Sequence, residues 1–110
     1  MSIPTIELAN VPTELPATLT VLDVREDEEW AAGHIEGALH IPLGELPARL
    51  AELPGEQMLV VCKGGGRSGR ACEYLGPQGH QVVNLAGGMR GWEEAGRPMV
   101  SETGQPPFVA

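Results

Sequence analysis

Basic residues are scarce in this chain of 110 residues: seven Lys and Arg stand against 15 Asp and Glu, a formal net charge of −8 at pH 7. The seven are scattered rather than grouped, so no basic face is offered to phosphates and direct nucleic-acid binding is disfavoured. No apolar run reaches membrane-spanning length. The opening Met-Ser-Ile-Pro-Thr-Ile-Glu has neither the charged nor the apolar region of a secretory signal, which makes the cytoplasm the expected location. Cysteine is equally sparse. Cys62 and Cys72, in a chain with no export signal, speak for a reduced compartment and against a structural disulfide. Metal-ligand spacing is missing too, because His34, His40 and His80 lie far apart and none accompanies a C-x-x-C pair. There is no repeat and no low-complexity linker. The length allows one domain with a single core and no second one.

What is present is an alternation of short apolar runs with helix-forming segments. Strands are expected at Ile6 to Leu8, Leu19 to Val24, Ala38 to Ile41, Met58 to Val61 and Gln81 to Leu85. Helical stretches fall between them. Glu26 to Ala32 is stopped by Gly33, and its run of four acids suits the positive end of a helix. Leu43, Leu46, Leu50 and Leu53 recur at helical spacing, with Pro47 either opening the helix proper or breaking the segment in two. Arg67 to Leu75 ends at Gly76-Pro77, and Gly88 to Glu94 is stopped by Gly96 and Pro98. Residues 1–100 therefore form the expected domain, and the tail from Ser101 to Ala110 is expected to be irregular. Strands separated by helices of this length make parallel crossover units, hence a layered α/β fold.

The most informative stretch is Met58-Leu-Val-Val-Cys62-Lys63-Gly64-Gly65-Gly66-Arg67-Ser68. An apolar run feeds a triple glycine and then a helix, which puts Cys62 at the carboxyl end of a parallel strand, where open α/β sheets place their chemistry. Gly64, Gly65 and Gly66 lack a Cβ, so they can adopt positive φ and turn successive N–H groups toward whatever Cys62 carries. The following helix aims its positive end at the same spot, with Lys63 and Arg67 adding full charges. A free cysteine titrates near about 8.5, and such surroundings bring it to about 3.5–7.5, so Cys62 is expected to be a thiolate nucleophile.

This loop resembles the C-x-x-G-x-R-S active loop of single-domain rhodaneses, sulfurtransferases that carry sulfane sulfur as a cysteine persulfide. The resemblance continues in Leu22-Asp23-Val24-Arg25, in Gly33-His34-Ile35-Glu-Gly37-Ala38 with Ile41-Pro42, and in Asn84-Leu85-Ala-Gly87-Gly88-Met-Arg-Gly91-Trp92. It implies a single rhodanese-like domain, with a mainly parallel five-stranded sheet and helices on both faces. It also implies that Cys62 is catalytic and that Lys63 to Ser68 form the anion-binding loop. The implied reaction has two steps: Cys62 takes sulfur from a donor such as thiosulfate, then passes it to cyanide, a thiol or a partner protein in a sulfur relay. No cofactor is called for.

The other residues have plainer readings beside these. Asp23 and Arg25 are expected to support the strand end as a structural ion pair, and His34 to satisfy a turn. Arg67 either clamps a bound oxyanion or pairs with an acid such as Asp23 or Glu73 to brace the loop. Cys72 is expected to be a small core residue, because two to three helical turns separate it from Cys62. Trp30 and Trp92 belong to the core or its rim, and Phe108 is free to dock on the domain or on a partner. Two rival functions remain. A non-catalytic rhodanese-like binding module commonly lacks the cysteine that is present here. Cysteine phosphatases and arsenate reductases place five residues between Cys and Arg, whereas four intervene here, Lys63 to Gly66.

Overall fold

The structure is a computed structural model that describes residues 3–110. Five strands form one parallel sheet: β1 (Thr5–Ile6), β2 (Leu19–Asp23), β3 (Leu39–His40), β4 (Gln57–Val61) and β5 (Val82–Leu85), in the order β1-β5-β4-β2-β3. β4 lies in the middle, paired with β2 from Leu19↔Gln57 to Asp23↔Val61 and with β5 from Met58↔Val82 to Val60↔Asn84. The three helices are α1 (Asp27–Ala32), α2 (Gly66–Leu75) and α3 (Gly88–Glu94).

Strand alternation divides the core in two, because successive side chains point to opposite faces of a sheet. Met58, Val60 and Cys62 join Leu22, Val24 and Ile41 beneath α2, whose Ala71, Cys72 and Leu75 face them. Leu59 and Val61 point the other way and pack with Val21, Ile35, Leu85, Met89 and Trp92, so α3 covers the second face. The predicted parallel α/β sheet with helices on both faces is what the chain forms.

Most element boundaries fall within a residue of the sequence reading, and the first strand and the leucine-rich stretch differ by more. The first strand covers only Thr5–Ile6, and Leu8–Asn10 coils into a 3-10 turn. The leucine-rich stretch is two 3-10 segments, Leu43–Ala48 and Leu50–Glu52, rather than an α-helix; Pro47 has no N–H to give, and the chain breaks two residues after it. The last strand begins at Val82 instead of Gln81. Residues 101–110 form no regular element, yet they lie against the end of α1. The Glu102 and Phe108 amides donate to the Ala31 and Ala32 carbonyls at 2.8 and 3.1 Å, and a Cβ at Gly33 would collide with the Phe108 carbonyl. Among the described residues no helix is long and apolar enough to cross a membrane.

Candidate active site

Cys62 directly follows β4, the central strand, at the carboxyl edge of the sheet. The loop after it turns back at Gly65, whose φ of 112° lies in the left-handed region that glycine tolerates. That turn swings the Gly65 N–H onto the Cys62 Sγ at 3.0 Å, and the Ser68 hydroxyl approaches the same sulfur at 3.3 Å. Cys62 is only 1% exposed. Burial is the largest influence on its thiol and pushes the pKa up; the Ser68 hydroxyl and the Ser68, Gly65 and Gly64 amides together outweigh it, and the net shift is downward. A sulfur enclosed by amides is held more acidic than a free cysteine. Cys72 has no such donors, and burial alone pushes it up to about 11.

The Cys62 side chain packs among the residues beneath α2, with the Gly65 amide and the Ser68 hydroxyl against its sulfur. Gly64 and Gly66 are exposed, and a Cβ added at either would meet nothing within 4 Å. The loop is anchored from below by α3: the Met89 and Arg90 amides donate to the Cys62 and Lys63 carbonyls at 2.8 and 3.0 Å. Such an approach is open only to glycine at position 88, where φ is +55° and a Cβ would overlap the Cys62 carbonyl and lie 2.6 Å from that of Lys63.

Two ion pairs brace the surroundings. Arg25 and Asp23 are fully buried and doubly bonded, with Arg25 Nη2 at 2.7 Å from Asp23 Oδ2 and 2.8 Å from the Gly33 carbonyl. This ties the end of β2, which is in register with Val61, to the turn after α1. Arg67 bonds Glu29 through both terminal guanidinium nitrogens, at 2.6 and 2.9 Å, so its partner is neither Asp23 nor Glu73 as the sequence suggested. The bidentate bond from Arg67 holds the Glu29 carboxyl at about 2, well below the usual range. Glu29, Asn84 and Gly88 carry this architecture, and the sequence reading gave none of them a role at the site. Glu29 lay within an acidic run that also suits a solvated helix start. Asn84 accepts from the Ser68 hydroxyl at 2.6 Å and donates to the Gly65 carbonyl at 3.2 Å.

The cations that lack an acidic partner share one part of the fold. Arg25, Arg49 and Arg67 are paired with carboxylates, and Arg97 donates to the Leu8, Val11 and Pro12 carbonyls. The remaining cations, Lys63, Arg70 and Arg90, make no ion pair among the described residues. They belong to the loop itself or to the first two turns of the helices that flank it. A −8 chain thus keeps its unpaired side-chain cations around the cysteine loop. Among the described residues no group of His, Cys, Asp or Glu is arranged to hold a metal ion.

Comparison with known proteins shows the family. The model of the rhodanese-like domain family matches residues 7–95. YtwF of Bacillus subtilis is 42% identical over 86 residues, covering 77% of this chain and 84% of its own. A sulfurtransferase of Allochromatium vinosum is 40% identical over 86 residues, covering 76% and 80%. The crystal structure of a rhodanese-related protein from Thermoplasma volcanium superimposes with a TM-score of 0.82 at 36% identity, over 88% of this chain and 97% of that one. With the family model, these relatives and the five-stranded parallel sheet in agreement, this chain belongs to the rhodanese-like domain family.

Proposed function

We propose that the protein is a sulfurtransferase that carries sulfane sulfur on Cys62 and draws it from an anionic donor such as thiosulfate. The observation that carries this reading is the convergence of the Gly65 amide and the Ser68 hydroxyl on Cys62 Sγ. Both donors favour the anion, and the Gly65 amide dipole is in place before any reaction begins. The Cys62 thiolate attacks the outer sulfur of thiosulfate, the S–S bond of the donor breaks, and sulfite leaves with the bonding pair. Cys62 is left as an anionic persulfide inside the ring of amides. Cyanide, a thiol or a sulfur-relay partner then attacks the outer sulfur and regenerates the thiolate. The same donors lower the Cys62 pKa and so raise the thiolate fraction on which the attack depends.

The roles divide accordingly. Gly64, Gly65, Gly66 and Ser68 supply backbone and hydroxyl donors, while Lys63 attracts the donor anion. Arg67, held by its bidentate bond to Glu29, braces the loop rather than clamping an oxyanion. Asp23 and Arg25 keep the end of β2 rigid beside it. With Cys62 buried, a donor reaches the sulfur only if the loop moves, and the exposed, uncrowded Gly64 and Gly66 leave it free to do so. The free thiols of Cys62 and Cys72 suit a reducing compartment such as the cytoplasm. A loop with four residues between Cys62 and Arg67 encloses a smaller space than a five-residue one, which favours sulfur over a phosphoryl group.

Intact mass spectrometry after thiosulfate treatment tests the proposal. The expected result is a gain of one sulfur atom, lost on adding cyanide and absent in Cys62→Ala. Equal thiosulfate:cyanide activity in Cys62→Ala would refute the assignment.

A further inference from the structure

The Ser68 hydroxyl faces two acceptors and has one proton. Cys62 Sγ lies 3.3 Å from its oxygen and Asn84 Oδ1 lies 2.6 Å from it. Both separations suit a hydrogen bond, but a hydroxyl donates only once. The Asn84 amide is not free to turn its nitrogen toward Ser68, because Nδ2 donates to the Gly65 carbonyl at 3.2 Å and so fixes Oδ1 on the serine side. Ser68 is fully buried, so water does not relieve the competition.

We propose that Asn84 is a positioning residue that competes with the Cys62 sulfur for the Ser68 proton and thereby sets how acidic the nucleophile is. In the thiol state the hydroxyl donates to Asn84 Oδ1 and its lone pair is available to the Cys62 S–H. On ionisation the proton swings to the sulfur, since a charged acceptor makes the stronger bond. The thiolate gains one donor, and Asn84 loses one. Ionisation therefore carries the cost of a broken Ser68–Asn84 bond, and Asn84 restrains the acidity that the amide cradle confers. The same rotation serves the persulfide, whose outer sulfur carries the charge: the inner sulfur is then neutral, and the proton returns to Asn84. This inference rests on the assignment of Cys62 as the sulfur carrier.

The test is the pH dependence of Cys62 alkylation, read by mass on the Cys62 peptide, in a double-mutant cycle of Asn84→Ala and Ser68→Ala. Removing the competing acceptor spares the thiolate that cost, so Asn84→Ala should lower the midpoint by about half to one pH unit, the worth of one net hydrogen bond. With Ser68→Ala beneath it, the same substitution should leave the midpoint unmoved, and Ser68→Thr should restore the shift. A rise in the midpoint, or an equal shift in both backgrounds, would overturn the role, because a merely loosened loop would act without the hydroxyl. If Asn84→Ala does not fold, Asn84→Asp keeps the size. Its midpoint should rise, and by more with Ser68 in place than in the Ser68→Ala background; a rise independent of residue 68 counts against the inference. Failure of the wild type to gain sulfur from thiosulfate would remove the sulfurtransferase reading while leaving this titration result standing.

Discussion

Gly88→Ala should be the most damaging single-methyl change in the protein, and its cost follows from the geometry. At φ +55° an added Cβ overlaps the Cys62 carbonyl and sits 2.6 Å from the Lys63 carbonyl, both of them backbone atoms that cannot swing aside. Holding alanine in the left-handed region costs about 1–2 kcal/mol. Relieving the overlap separates α3 from the loop and breaks the Met89–Cys62 and Arg90–Lys63 hydrogen bonds, worth about 1 kcal/mol each. The sum is about 3–4 kcal/mol, a large part of the ~5–15 kcal/mol that a domain of this kind has in total. Gly91 lies on the same helix, has no positive φ and has nothing within 4 Å of a built Cβ. Gly91→Ala should therefore stabilise by about 0.5–1 kcal/mol through backbone entropy alone. Urea unfolding followed by circular dichroism measures both, and the Gly88→Ala midpoint should fall by more than about 1 M at ordinary m-values. Displacing the start of the loop should also return Cys62 toward the ordinary cysteine pKa. A loss below about 1 kcal/mol, or an unchanged Cys62 titration, would refute the view that Gly88 sets the height of the active loop.

Three further outcomes are expected. Iodoacetamide near neutral pH should label Cys62 and spare Cys72, since donors lower the first thiol while burial pushes the second up to about 11; Cys72→Ala should leave sulfur transfer near wild type, and comparable labelling of both thiols would contradict the assignment. Glu29→Gln should destabilise by about 1–2 kcal/mol at pH 7. The carboxyl is lowered from 4.5 to about 2 in the folded state, so its contribution is full above about 4.5 and lost as pH falls toward 2. The gap between wild type and Glu29→Gln should close over that window, and a gap independent of pH would show that the ion pair contributes nothing. Lys63→Glu and Arg90→Glu should raise the KM for thiosulfate and leave it less sensitive to added salt, because steering by exposed charge is screened over about 10 Å at 0.1 M. Unchanged KM in both would place donor recognition with the amides alone.

Much of this was legible in the chain because it depends on local chemistry. An apolar run, three glycines and a helix start read directly as a strand-to-helix turn carrying Cys62, and the structure has that turn at Val61–Gly66. Alternating strands and helices sufficed for a parallel α/β sheet. The leucine-rich stretch was harder: its spacing matched a helix, yet with Pro47 lacking an N–H the chain forms two 3-10 segments.

By itself the sequence determined which element carries each chemical group: the nucleophile, the flexible glycines, the cations beside it and the helix that points at it. Tertiary structure alone decided the pairings between distant segments. Arg67 chose Glu29, 38 positions away, over nearer acids, and Ser68 met Asn84 because β5 runs beside β4. Gly88 came to lie under Cys62 only when the sheet brought the ends of two strands together. The reason is physical. Propensity and hydrophobic period act within a few residues, whereas a hydrogen bond between segments forms only after the sheet order has set their separation to within an ångström.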